Sequence, residues 1–219
     1  MMKTVLGAAS AMALLLSAQT ATAHDVDKSD WETQTYDFTG FDDIRLQGVY
    51  DLEIKVGPDY SITVSGPPER MEEADIRVFG DQLILSQEKD RRRFKKNEGL
   101  HAVVTLPALV NIDLQGVGSI TATGVDSEDF DIDVEGVGSV EISGKCGRLN
   151  ASLEGVGSLD ASGLKCKDVD VSVEGMGSAE VYASSAVDAD IEGMGSIKVD
   201  GNPKDVKKSK SFMSSIEIN

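Results

Sequence analysis

The sequence predicts an all-β chain wound as a right-handed parallel β-helix, a solenoid with coils of 18–20 residues. Three observations predict it. A phrase Gln/Glu-Gly-Val/Met-Gly-Ser recurs five times, its first glycine at 116, 136, 155, 175 and 193. Apolar residues alternate strictly with polar ones on both sides of each copy, and no helical period is visible. The steps between copies are nearly constant, and a fixed short period marks units that bury their apolar faces against one another.

The elements follow from that period. Before each phrase lies one strand, as in Ile132 and Val134 or Val169, Val171 and Val173, and after it a second, as in Val140 and Ile142 or Ile197 and Val199. Period-two alternation buries one face of a strand. Between them Gly-x-Gly makes a corner, because glycine reaches positive φ without a Cβ clash. The corner glycines are Gly116, Gly118, Gly136, Gly138, Gly155, Gly157, Gly175, Gly177, Gly193 and Gly195. Val117, Val137, Val156, Met176 and Met194 are expected to stack there as an apolar column. No helix pattern or Lys-Ser/Thr follows the glycines, which excludes a phosphate cradle. Degraded copies at Leu46–Tyr50 and Phe212–Ile216 bracket the run.

Residues 57–110 interrupt the period. Gly57-Pro58-Asp59, Gly66-Pro67-Pro68 and Gly80-Asp81 punctuate strand candidates Ser61–Ser65, Ala74–Phe79, Gln82–Gln87 and His101–Leu106. This part, within an irregular stretch of about 36–107, reads as an N-terminal β excursion continuous with the regular coils of about 108–219. The expected mature unit is therefore one domain, 24–219.

Residues 1–23 read as a secretory signal peptide: Lys3, an apolar Val5–Leu16 and a small-residue Ala21-Thr22-Ala23 cleavage site. The expected destination is the periplasm or surface of a bacterium, with no later membrane span. The formal net charge is −17, and loss of Lys3 takes the mature chain to −18. That excludes nucleic acid as a partner. Cys146 and Cys166 hold nearly equivalent places in consecutive repeats, which predicts a disulfide between adjacent strands.

The opening Phe41-Asp42-Asp43-Ile44-Arg45-Leu46-Gln47-Gly48-Val49-Tyr50, with Asp59 to Gly66, Asp81-Gln82-Leu83-Ile84-Leu85 and the Gly-x-Gly-Ser copies, resembles the GIN domain family. That family is described as the head domain of autotransporter adhesins. The resemblance covers about 38–219 and implies an exported β-helical protein with no established enzymatic activity.

Outward positions of the first strands carry Asp131, Asp133, Glu135, Glu154, Asp170, Glu174, Asp188, Asp190 and Glu192. Carboxylates on neighbouring strands, about 4.8 Å apart, repel by about 0.9 kcal/mol even in water. This face is the candidate cation site, with Ca²⁺ the fitting ion; no cofactor is required. Lys89, Arg91, Arg92, Arg93, Lys95 and Lys96 form a basic cluster suited to an anion or an acidic partner. The function expected is a non-enzymatic, adhesin-like envelope module that binds a surface glycan, an envelope component or itself. A homo-oligomer would form through the helix ends, where Ile216-Glu217-Ile218-Asn219 offers a strand edge. The alternative is a β-helical polysaccharide lyase or hydrolase using the paired Asp131 and Asp133.

Overall fold

The computed structural model describes residues 30–87 and 99–219. The expected leader and the basic cluster at 89–96 lie outside them. Strands are β1 (Glu32–Tyr36), β2 (Asp43–Gln47), β3 (Val49–Val56), β4 (Ser61–Gly66), β5 (Ala74–Phe79), β6 (Gln82–Gln87), β7 (Leu100–Leu106), β8 (Asn111–Leu114), β9 (Val117–Val134), β10 (Val137–Asp200), β11 (Asp205–Lys210) and β12 (Ser215–Ile218). One short helix, α1 (Pro68–Met71), starts at Pro68, where the missing N–H costs nothing. Alternation places side chains as the sequence predicts. In β7, Leu100, Ala102, Val104 and Leu106 are buried, while the residues between them are half-buried.

The sheet does not form the expected right-handed parallel β-helix. It is one mixed sheet of 12 strands, in the order β1-β4-β7-β3-β9-β8-β2-β6-β5, with β10 paired to β9 and carrying β11 and β12. It curls as a half-barrel around one apolar cluster running from Phe41 to Val199. Among the described residues three ladders are antiparallel: β1 with β4, β4 with β7, and β5 with β6. The cause lies in residues 57–110. At Gly80 (φ +66°) the chain turns tightly and lays β5 back on β6. A short turn can join only antiparallel neighbours, whereas a parallel return needs a long crossover. The segment is therefore built into the sheet on both flanks: β7 lies parallel on β3 and β6 parallel on β2.

Parallel pairing does join the phrase-bearing segments. Val137, Gly138 and Ser139 of β10 sit opposite Val117, Gly118 and Ser119 of β9. The register slips between Ile142 and Gly144, so that Leu149 faces Phe130. Close approach explains the phrase. A Cβ on Gly138 would overlap the carbonyl oxygen of Gly118, and one on Gly118 (φ +156°) that of Tyr50. Backbones can meet this tightly only where the residue facing the carbonyl lacks a side chain. Inside, Phe41, Tyr50 and Phe130 are at most 1% exposed, and each contributes roughly 1.5–3 kcal/mol by burial. Cys146 and Cys166 are disulfide-bonded, their Cα atoms 4.5 Å apart.

Candidate functional site: a polar face across β2, β8, β9 and β10

Four parallel strand segments present their non-core side chains on one face. Asp43 stands opposite Asn111, Asn111 opposite Asp131, and Asp131 opposite Asn150. The next row runs Arg45, Asp113, Asp133 and Ser152 by the same registers. Amides and carboxylates alternate along the first row and bond along it. Gln82 Nε2 and Asn111 Nδ2 donate to Asp43 at 2.8 and 2.9 Å, and Asn150 Nδ2 donates to Asp131 at 2.7 Å. Each bond relieves the repulsion that an unbroken acidic row would suffer.

The second row centres on Asp113. The regular alternation predicts an outward, solvated residue, but Asp113 is only 6% exposed. Arg45 Nε donates to its Oδ2 at 2.7 Å from the β2 side, and Gln115 Nε2 does so at 3.4 Å. Asp113 Oδ1 and Asn111 Oδ1 are buried acceptors without a donor. Across the ladder, burial pushes the Asp133 carboxyl above its usual range, and the charges of Asp113, Asp131, Glu135 and Glu154 push the same way. Burial also raises Asp43, against the lowering effect of its bonds to Gln82 and Asn111. Asp43, Asn111, Asp131, Asp133, Asn150, Ser152, Asp170 and Ser172 line an open depression of about 460 Å³.

The residues predicted from sequence divide over this surface. Asp131, Asp133 and Asp170 line the depression. Asp170 and Asp188 border a second one of about 260 Å³ with Arg148, Asp168 and Lys207. There Lys207 Nζ lies 3.6 Å from Asp188 Oδ2. Glu135, Glu154, Glu174 and Glu192 are exposed beside the corner, and Asp190 is half-buried. Among the described residues no three His, Cys, Asp or Glu side chains converge closely enough to hold a metal ion. The corner glycines pack over equivalent carbonyls, as Gly195 does over Gly177. The predicted site residues omit Asp43 and Arg45, which reach the face across 68 positions of sequence. The degraded copy at Leu46–Tyr50 was the signal that could have aligned them with Asn111 and Asp113.

No helix among the described residues is long and apolar enough to cross a membrane. The family model described as "Putative auto-transporter adhesin, head GIN domain" matches residues 40–203. No curated protein matches the chain. Among solved structures, a putative adhesin from Bacteroides fragilis superposes with a TM-score of 0.73 at 27% identity, covering 86% of this chain and 97% of its own. A putative adhesin from Parabacteroides distasonis (TM-score 0.53, 16% identity, 86% and 97% covered) shares the fold. So does one from Parabacteroides merdae (0.52, 14%, 88% and 97%). With the family model spanning most of its length, this chain belongs to the head GIN domain family.

Proposed function

We propose that this protein is an exported, non-enzymatic, adhesin-like module of the bacterial envelope whose polar face binds a hydroxyl-rich surface glycan. One observation carries the reading. The depression is lined by amides, hydroxyls and carboxylates at strand-repeat spacing, with Asn150 and Ser152 beside Asp131 and Asp133. Such a surface offers paired acceptors and donors to successive sugar hydroxyls without the enclosed pocket that catalysis favours. Family membership and the Bacteroides fragilis neighbour, a putative adhesin, agree with binding as the task.

A glycan array read with Asp131→Ala and Asn150→Ala beside the parent protein tests it. Retention of a glycan class by the parent, lost in both variants, is expected. Retention of none, or retention unchanged in the variants, sinks the reading. Turnover of an acidic polysaccharide, abolished by Asp131→Asn or Asp133→Asn, would establish the lyase or hydrolase alternative instead.

A second reading adds a Ca²⁺ ion to the same face, favoured by the buried acceptors Asp113 Oδ1 and Asn111 Oδ1. A hard cation takes six to eight oxygens. Asp113 Oδ1 and Asn111 Oδ1 would supply two of them, and ligand hydroxyls or water the rest. Melting curves unchanged between millimolar Ca²⁺ and chelator would remove the ion.

A further inference from the structure

At the outer corner, Val117, Val137, Val156, Met176 and Met194 are 47–52% exposed. Met213, 68% exposed, lies beyond them in the turn before β12. At about 4.8 Å per strand the five phrase side chains form a ridge about 19 Å long. Bare glycine backbone flanks each of these five, so their side chains stand clear of their neighbours. Scattered exposed apolar residues need no explanation, but a contiguous apolar line on a strongly acidic protein marks an interaction surface.

The flanks define the occupant. Glu135, Glu154, Glu174 and Glu192 are exposed along one side of the ridge. Glu141, Asp160 and Glu180 are exposed two residues beyond the phrase serines on the other. Lys198 follows them in position and is engaged by Glu180 and Asp200 at 3.6 and 3.5 Å. Ridge-to-ridge packing of two copies would bring these like charges together. An anionic lipid surface would be repelled as well.

We propose that the ridge docks a cationic amphipathic polypeptide segment of another protein, its apolar stripe on the Val/Met line and its Lys or Arg side chains on the two carboxylate files. This surface is separate from the polar depression and does not depend on glycan binding. Methionines at one end supply side chains that repack around varied apolar partners.

The probe is a synthetic helical peptide of Leu and Lys with one apolar face, titrated calorimetrically into the purified protein. The expected result is saturable binding that weakens at least about tenfold in a Val156→Ser/Met176→Ser/Met194→Ser variant. Because these side chains lie outside the core, that variant should melt with the parent. Glu154→Gln/Glu174→Gln should flatten the salt dependence. Absence of binding overturns the proposal, as does equal binding by the serine variant, which would mean charge alone. Parent dimers that the serine substitutions dissociate would make a second copy the occupant and overturn it equally.

Discussion

Arg45 and Asp113, 68 residues apart in sequence, form a part-buried ion pair in which the guanidinium Nε meets Oδ2 at 2.7 Å. The pair ties β2 to β8, which lie side by side in the sheet with β3 to β7 between them in sequence order. Asp113 is almost wholly enclosed, whereas Arg45 keeps 34% of its side-chain surface.

Removing the cation strands the carboxylate. Arg45→Met should cost about 2 kcal/mol, less than a fully buried pair because Arg45 is partly solvated. Adding Asp113→Asn should recover much of that loss. Urea midpoints of the two single variants and the double variant measure the coupling; additive losses would show that the pair contributes nothing of its own.

The Cys146–Cys166 bond closes a loop of 20 residues. Chain-entropy reasoning gives it about 3 kcal/mol. The Cys146→Ala/Cys166→Ala protein should therefore show a lower denaturant midpoint with an unchanged fold by circular dichroism. Adding reductant to the parent should reproduce the shift.

Asp133 should make the protein more stable in mild acid than at neutrality, as far as this residue is concerned. Its folded pKa is raised by burial and by the surrounding carboxylates. The folded state thus binds the proton first, and stability falls as pH rises from the unfolded value through the raised folded one. Asp133→Asn should raise the melting temperature at pH 7, and the gain should vanish below the normal aspartate range. A gain that persists in strong acid would refute the electrostatic cause.

Two glycines separate strain from collision. Gly80 has φ +66° with open space around a would-be Cβ, so Gly80→Ala should cost about 1–2 kcal/mol. Gly118→Ala would drive its Cβ into the Tyr50 carbonyl oxygen and should leave little soluble folded protein. Comparable soluble yields and urea midpoints for the two would contradict the stacking role of the phrase.

Much of the strand content was legible in advance. The Ala74–Phe79 and Gln82–Gln87 strands appear at their expected bounds, and Ser61–Ser65 and His101–Leu106 extend by one residue each. Alternation is a local pattern, written within five or six residues, and turn residues bound it. Of the polar face, Asp131, Asp133 and Asp170 were readable because the repeat offset aligns them. Asp43 and Arg45 were hidden because their partners lie across the interruption.

By itself the sequence determined the extended segments, their buried sides, the spacing that pairs Cys146 with Cys166, and the glycines where backbones touch. Each depends on residue type and interval alone. Tertiary structure alone decided which neighbours the strands of residues 57–110 took. It turned β4 and β5 antiparallel, set β7 and β6 beside β3 and β2, and enclosed Asp113 between Arg45 and Asp133. The physical reason is that a strand edge offers the same N–H and C=O groups to any partner. Choice among partners falls to core packing and chain connectivity across many residues, which no short stretch of sequence encodes.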